Sequence, residues 1–182
     1  MIYQPAEDSY LLSKEIKKFL KKQKNKTLSI LDMGSGTGIQ AQTCKDLGFT
    51  NIITADINPE AIKHLKKNGF NTIQSNLFSN IKDKFDLIIF NPPYLPEDKR
   101  EPKDSRINTT AGKKGYEIMI KFLEQAREFL TNNGTILLLF SSLSKPKIIL
   151  NKAKEIGYNF KILNKQNLPF FEELFVYSFT FK

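Results

Sequence analysis

A mostly apolar run stops abruptly at two prolines in the middle of this chain of 182 residues. Residues Phe85–Phe90 have the sequence F-D-L-I-I-F, which is typical of a strand buried on both faces of a sheet. Asn91-Pro92-Pro93-Tyr94 follows, and its prolines end the strand and hold Asn91 out of the helical region. The sequence therefore predicts a helix-covered parallel sheet, with an amide and a tyrosine ring at one strand end.

This strand end carries the groups that could grip a planar amino group. The side-chain oxygen of Asn91 and the carbonyl of Pro92 can each accept an N–H, and Tyr94 can stack on a flat substituent. An ordinary turn is the alternative interpretation, because asparagine and proline are both frequent in turns. The tetrapeptide alone favours a functional role only modestly.

A glycine-rich turn supplies a second indication of ligand binding. Thr27–Asp32 is a predicted strand that leads into M-G-S-G-T-G and then into a predicted helix over Ile39–Leu47. A carboxylate at Asp32 would repel a pyrophosphate but suits a ligand with an ammonium or sulfonium charge. Asp56 ends the next predicted strand, about twenty residues on, where an acid can bind both hydroxyls of a ribose. The alternative is a plain α/β turn with Asp56 flanking a helix.

Three segments together resemble the class I S-adenosylmethionine methyltransferases: D-M-G-S-G-T-G from Asp32, T-A-D-I-N-P-E from Thr54, and F-D-L-I-I-F-N-P-P-Y from Phe85. Nearly the whole chain resembles the HemK-type glutamine methyltransferases of translation release factors, in their archaeal and eukaryotic branch. Tyr3–Leu12 is the sharpest match to that branch, and Thr110–Gly115 resembles its glycine-containing substrate loop. Bacterial members carry a further N-terminal helical domain, for which we expect no room here.

The resemblance implies S-adenosyl-L-methionine as cofactor and S-adenosyl-L-homocysteine as product. Asp32 and Gly34 would lie along the methionine half, Asp56 would hold the ribose, and Asn76 departs from the family's usual aspartate beside the adenine. An asparagine oxygen still accepts from the adenine amine, so we expect weaker rather than lost binding; a hydrogen bond of this kind is worth about 0.5–1.5 kcal/mol net. The implied cofactor-binding residues are Ser9, Asp32, Gly34, Gly36, Asp56, Asn76, Leu77 and Asn91.

The reaction implied is in-line transfer of a methyl group from a sulfonium to the glutamine amide of a Gly-Gly-Gln motif in a class-1 release factor. We expect Asn91, Pro92 and Tyr94 to be the catalytic residues. Asn91 and Pro92 would accept hydrogen bonds from both N–H groups of the substrate amide. Such orientation can lower the activation barrier by several kcal/mol, up to a ceiling of about 7–11. A lysine acceptor would need a base to deprotonate it, and the sequence offers no obvious one.

Two other functions remain open at the level of sequence. An adenine N6-methyltransferase acting on RNA or DNA could use the same tetrapeptide, and the formal net charge of +9 is compatible with nucleic acid. The basic residues are spread along the chain, however, and no target-recognition region is visible. The second alternative is a non-catalytic S-adenosylmethionine-binding scaffold, against which the intact N-P-P-Y argues.

Alternating strands and helices predict one α/β domain over residues 1–182, with a Rossmann-like, seven-stranded, mostly parallel sheet. We expect a C-terminal antiparallel hairpin, helices on both faces, and an N-terminal helix within residues 1–24 packed on the core. The sequence also predicts a helix from about Gly115 to Leu130, followed by a turn at Thr131–Gly134. A single cysteine, Cys44, and a single histidine, His64, predict neither a disulfide nor a metal site. Without a secretory signal or a long apolar run, we expect a cytoplasmic protein with no membrane contact.

The family resemblance also implies a protein partner. Members of this branch work with a small zinc-binding activator that adds a strand to the sheet edge, here at Asn71–Ser75. We therefore expect a possible heterodimer, and poor solubility or weak activity of the chain alone. Residues 95–114 are predicted from the sequence to be a long loop of mixed charge, part of which would cover the substrate by resemblance.

Overall fold

The structure, a computed structural model, describes residues 2–94 and 115–181. Five helices and seven strands are the main elements of this part of the chain. The helices are α1 Glu7–Lys21, α2 Ile39–Asp46, α3 Pro59–Lys67, α4 Glu117–Ala126 and α5 Pro146–Ile156. The strands are β1 Ile30–Met33, β2 Ile52–Asp56, β3 Asn71–Gln74, β4 Phe85–Phe90, β5 Leu130–Ser141, β6 Asn159–Asn167 and β7 Glu173–Thr180.

The strands form one sheet in the order β3-β2-β1-β4-β5-β7-β6. The first five in this order are parallel, and β7 runs antiparallel to both β5 and β6. The predicted α/β sheet with a C-terminal antiparallel hairpin is therefore confirmed. Strand order reverses between β1 and β4, which is where ligands bind in sheets of this kind.

The two faces of the sheet are covered by different helices. Buried side chains of α1 and α2 pack on one face, and those of α4 and α5 pack on the other. On α1, Leu12, Ile16 and Leu20 are fully buried and belong to the hydrophobic cluster on that face of the sheet. Each such side chain contributes about 1.5–3 kcal/mol by leaving water.

Strand β5 differs from the sequence-based expectation. Its sequence T-N-N-G, Thr131–Gly134, predicted a turn after a helix reaching Leu130, and that prediction is wrong. Leu130 already pairs with Phe85, and Thr131–Gly134 form a bulge before pairing resumes between Leu87 and Thr135. A Cβ at Gly134 would lie 2.9 Å from the Phe85 carbonyl oxygen, so glycine here permits close backbone approach rather than a reversal of the chain.

Cys44 and His64 lie in contrasting environments. Cys44 is fully buried between α2 and the sheet, and burial raises the pKa of its thiol, whereas His64 is exposed on α3. Within residues 2–94 and 115–181, no three acidic, histidine or cysteine side chains group as metal ligands would. Among the described helices, none has the length and hydrophobicity needed to cross a bilayer.

Candidate active site

All ten residues singled out from the sequence line one cavity of about 240 Å³. The cavity opens at the carboxyl ends of β1, β2 and β4, where polar side chains follow buried strands, and residues 2–9 border it on one side. Distant parts of the sequence therefore meet at the position that the topology favours for a ligand. The ten residues are Ser9, Asp32, Gly34, Gly36, Asp56, Asn76, Leu77, Asn91, Pro92 and Tyr94.

The glycine-rich turn between β1 and α2 has a backbone that other residues rarely adopt. Gly34, Gly36 and Gly38 have φ values of 62°, 53° and 86°, all in the left-handed region. Gly38 also sits so close to α3 that a Cβ would lie 2.8 Å from a methyl carbon of Leu65. The turn is thus fixed in shape and presents its backbone to the cavity.

Asp56 ties this turn to the end of β2. One carboxylate oxygen accepts the N–H of Gly36 at 2.8 Å, and the other accepts the N–H of Asn58 at 2.8 Å. Each oxygen keeps a further lone pair for a ligand, because a carboxylate offers about four acceptor positions in all. Asp56 can therefore hold two hydroxyl groups at the mouth of the cavity.

Asp32 is almost completely buried beneath the same turn, with 1% of its surface exposed. Burial raises the pKa of its carboxyl group to about 7, against the opposing hydrogen bond from the Ala41 N–H at 3.1 Å, and the nearby Asp56 charge adds to the rise. A cation bound beside Asp32 would favour its ionised form. The site is thus electrostatically suited to a positively charged ligand.

The amide of Asn91 is oriented by a residue far away in the sequence. Its Nδ2 donates to Oδ2 of Asp8 at 3.1 Å, so its Oδ1 must be directed elsewhere. Oδ1 is buried and finds no hydrogen-bond partner in the described structure. A buried acceptor without a donor costs free energy, and a substrate N–H would remove that cost.

Sequence reasoning did not assign a role to Asp8, although it lies in the N-terminal motif. The Asp8 carboxylate is 3% exposed and accepts hydrogen bonds from the Tyr3 hydroxyl at 3.1 Å and from the Ser9 backbone N–H at 2.6 Å. Burial, together with this carboxylate, raises the pKa of the Tyr3 phenol, which keeps Tyr3 a donor. The acid was visible in the sequence, but its contact with Asn91 was not.

Tyr94 forms the wall of the cavity after the two prolines. Burial raises the pKa of its phenol, and the carboxylates of Asp8 and Glu172 add to the rise. Its backbone carbonyl accepts from Ser144 Oγ at 2.8 Å, which anchors the chain after β4 to the turn after β5. Tyr94 is thus a neutral, fixed aromatic surface.

An apolar side chain supports the far end of the cavity after β3. Leu77 is 6% exposed and adopts a left-handed φ of 49°, and its carbonyl accepts from Ser75 Oγ at 2.6 Å. Ile57, 53% exposed, also lines the cavity, as does Asn76. A flat heterocycle could lie between apolar side chains there. The predicted substrate loop, residues 95–114, lies outside the described part of the chain.

Comparison with known proteins identifies the family. Residues 10–165 match the model of the methyltransferase small domain. The chain belongs to this family. It is accordingly a methyltransferase, and the cavity at the strand ends is its candidate active site.

Relatives narrow the subgroup of this methyltransferase. A Methanocaldococcus jannaschii protein, provisionally named a protein N5-glutamine methyltransferase, is 39% identical over 96% of this chain and 89% of its own length. The release factor glutamine methyltransferase of Borreliella burgdorferi is 32% identical over 74% of this chain, which spans only 51% of that protein. The resemblance to glutamine methyltransferases stated from the sequence is confirmed.

Solved structures of methyltransferases share the fold. A chain of the E. cuniculi Mtq2-Trm112 complex, described as responsible for methylation of the termination factor eRF1, matches with a TM-score of 0.80 and 24% identity. That match covers 100% of this chain and 99% of the other. Trm5 of Methanocaldococcus jannaschii, solved with adenosine, matches with a TM-score of 0.67 and 19% identity over 99% of this chain and 49% of its own.

Proposed function

We propose that this methyltransferase modifies the side-chain amide of the glutamine in the Gly-Gly-Gln motif of a class-1 release factor. The observation that carries the proposal is the buried, unpartnered Oδ1 of Asn91, held beside Pro92 and Tyr94 at the carboxyl end of β4. A primary amide brings the two N–H donors that such a site lacks. The names of the relatives from Methanocaldococcus and Borreliella support the same acceptor.

The donor set of the cavity fits S-adenosyl-L-methionine. Two carboxylates face it from β1 and β2: Asp32 suits the cationic methionine half and Asp56 suits two ribose hydroxyls. We assign the remaining contacts to Ser9, Gly34, Gly36, Asn76, Leu77 and Asn91. When bound, this cofactor supplies an electrophilic methyl group and is left as S-adenosyl-L-homocysteine.

The protein's own contribution is to orient a weak nucleophile. An amide nitrogen attacks poorly because its lone pair is delocalised, so its direction of approach matters more than a base does. Asn91 Oδ1 and the Pro92 carbonyl would accept hydrogen bonds from its two N–H groups. They would also stabilise the positive charge that develops on nitrogen as its bond to the methyl carbon forms and the sulfur–methyl bond breaks, until one N–H proton is released to solvent. Asp8 keeps the Asn91 amide from turning over, and Tyr94 packs against the substrate side chain.

A small activator subunit is part of the proposal. Strand β3 lies at one edge of the sheet, with Asn71 and Gln74 exposed, and the backbone of an edge strand can accept a further strand. The Mtq2-Trm112 complex shows that a protein of this fold is found with a partner. We propose strand addition at Asn71–Ser75 by a zinc-binding activator, in the cytoplasm where release factors act.

An adenine acceptor is the main competing function, because an exocyclic amino group beside a flat ring also fits Asn91 and Tyr94. The two functions differ in substrate and can be separated directly. Transfer of labelled methyl groups should be measured on the release factor, on the same factor with its Gly-Gly-Gln glutamine replaced, and on total RNA.

Each reaction should be run with and without the activator, and the Asn91→Ala variant serves as the inactive control. We expect label on the intact factor alone, lost with Asn91→Ala. Label on RNA but not on the factor would establish the adenine function instead. Cofactor binding without transfer to any substrate would support a non-catalytic scaffold.

A further inference from the structure

The turn between β6 and β7 exposes two adjacent aromatic rings. Phe170 and Phe171 are 98% and 100% exposed, more than any other large apolar side chain in the described part of the chain. Single apolar residues on a surface are ordinary, but a pair of fully solvated rings is a costly arrangement that typically marks an interaction site. The mechanism proposed above makes no use of either ring.

The backbone holds both rings outward in a strained conformation. Phe170 and Phe171 have φ values of 62° and 63°, in the left-handed region that bulky residues rarely adopt. The turn is closed by the Leu168 N–H, which donates to the Glu172 carbonyl at 2.7 Å. The Glu173 N–H donates to Ser142 Oγ at 3.1 Å, so the turn is fastened to the end of β5.

The aromatic turn lies at the same edge of the sheet as the active site. Because β7 is antiparallel to β5, with Leu174 opposite Ser141, the start of β7 lies beside the carboxyl end of β5. Leu143, which is 46% exposed, lies on the adjoining turn, two residues after the end of β5. We call Leu143, Phe170 and Phe171 the apolar rim.

One hydrogen bond and one electrostatic interaction connect residues next to the apolar rim with Tyr94. The Glu172 carboxylate, at the base of the aromatic turn, lies close enough to Tyr94 to affect its phenol. Ser144, next to Leu143, donates to the Tyr94 carbonyl at 2.8 Å. Tyr94 lines the cavity together with Asn91, so the apolar rim adjoins one wall of the candidate active site.

The three side chains of the apolar rim are uncharged and hydrophobic, which suits an apolar surface on a polypeptide. A folded protein can bury both rings against apolar side chains near its target residue. We propose that the apolar rim docks an apolar surface of the release factor next to its target glutamine, and so sets the preference for that protein. This inference rests on the proposed function.

The test removes the rings without changing the turn. Asparagine tolerates left-handed backbone, so Phe170→Asn and Phe171→Asn keep the turn while deleting the apolar surface. Ile162→Thr on β6 is the matched control, because Ile162 is 43% exposed and lies outside the apolar rim. Methyl transfer is measured on the intact factor and on a short Gly-Gly-Gln peptide. The enzyme is used alone if it methylates the factor alone, and otherwise together with the activator.

We expect KM for the intact factor to rise about tenfold or more in each Phe variant, since buried aromatic residues dominate protein interfaces. Turnover number, S-adenosyl-L-homocysteine affinity and KM for the short peptide should stay at wild-type values, as should all parameters of Ile162→Thr. A wild-type KM for the intact factor in both Phe variants would overturn the docking role of the apolar rim. The proposed function would still stand. An equal rise in Ile162→Thr would also overturn it.

Failure of the proposed function gives a different result. If the wild-type enzyme transfers no methyl group to the factor, both the proposed function and the docking role of the apolar rim are overturned. If it methylates RNA, and Phe170→Asn or Phe171→Asn lowers that activity, the rings serve to stack bases and the protein-docking role is overturned.

Discussion

Asn91 depends on a residue that is 83 positions away in the sequence. An asparagine amide can turn over and exchange its oxygen and nitrogen, and only the oxygen can receive a substrate N–H. The Asp8 carboxylate accepts from Nδ2 at 3.1 Å and thereby selects the productive orientation. A hydrogen bond to a charged group contributes about 1.5–3 kcal/mol. If losing it raises the activation barrier by that amount, Asp8→Ala should lower kcat by about 10- to 100-fold.

The measurement that checks this role separates kcat from cofactor binding. S-adenosyl-L-homocysteine affinity, measured by calorimetry, should change much less in Asp8→Ala than kcat does. Asp8→Asn should retain more activity, because its side-chain oxygen can still accept from Asn91. Glu7→Ala removes a neighbouring exposed charge and should behave as wild type. An Asp8→Ala enzyme with wild-type kcat would show that Asn91 is oriented by other means.

Asp32 makes stability depend on pH in the opposite sense from an ordinary surface acid. Burial raises the pKa of its carboxyl group to about 7, from an ordinary value of 3.8. Between these values the folded chain keeps a proton at this site that the unfolded chain has lost, so the free energy of unfolding falls as pH rises. We expect Asp32→Asn, which cannot ionise, to gain stability relative to wild type as pH rises from about 4 to 7.

Urea unfolding of both proteins at several pH values checks this expectation. The quantity to follow is the difference in unfolding free energy between Asp32→Asn and wild type, because a constant packing offset does not affect its slope. The exposed Asp83→Asn serves as the reference substitution. A flat difference across this range would mean that folding does not raise the pKa of Asp32.

At the scale of elements, Asp86 joins three strands at the end of the sheet opposite the active site. Its carboxylate accepts from the Ser29 backbone N–H at 2.9 Å, just before β1, and from Thr131 Oγ1 at 2.8 Å in the bulge of β5. We expect Asp86→Asn to lower the free energy of unfolding by about 1–2 kcal/mol, a reduced value because the group is only partly shielded from solvent.

The pH dependence of this loss follows from the pKa of Asp86. Burial alone would raise it, but the hydrogen bonds from Ser29 and Thr131 outweigh burial and hold the pKa below its usual range. The stabilisation is therefore complete above the pKa of the unfolded chain, about 3.9, and is lost as pH falls through the lower folded value. Urea unfolding at pH 7 and pH 3 should show a smaller gap between wild type and Asp86→Asn at pH 3. An equal gap would mean that the charge is unimportant.

Sequence patterns were reliable where one element determined the outcome. The run before Asn91 predicted a central strand because burial on both faces leaves a continuous apolar pattern, and Asp32 and Asp56 marked neighbouring strand ends. The turn expected at Thr131–Gly134 was wrong because pairing of Leu130 with Phe85 overrides local turn propensity. The partner of Asn91 on α1 depends on how a helix packs across the sheet, which local sequence does not encode.

At the scale of the whole molecule, the cavity joins parts that are otherwise packed separately. Residues 2–9, the ends of β1, β2 and β4, and Ile118 of α4 all border it. A ligand that contacts them together stabilises the folded chain as a unit, because the unfolded chain cannot bind it. At one hundred times its Kd, such a ligand adds about 2.7 kcal/mol to the free energy of unfolding.

For a chain of this size, that free energy corresponds to a rise in Tm of about 5–10 °C, and we expect S-adenosyl-L-homocysteine to produce it in a thermal unfolding scan. Asp56→Ala should lower the Tm of the free protein, since the Gly36 N–H loses its acceptor, and should also abolish most of the shift. Asp83→Ala, an exposed acid outside the cavity, should keep the full shift. An unchanged Tm in the wild-type protein at saturating ligand would contradict the assignment of this cavity to the cofactor. A full shift in Asp56→Ala would instead place the ribose elsewhere within it.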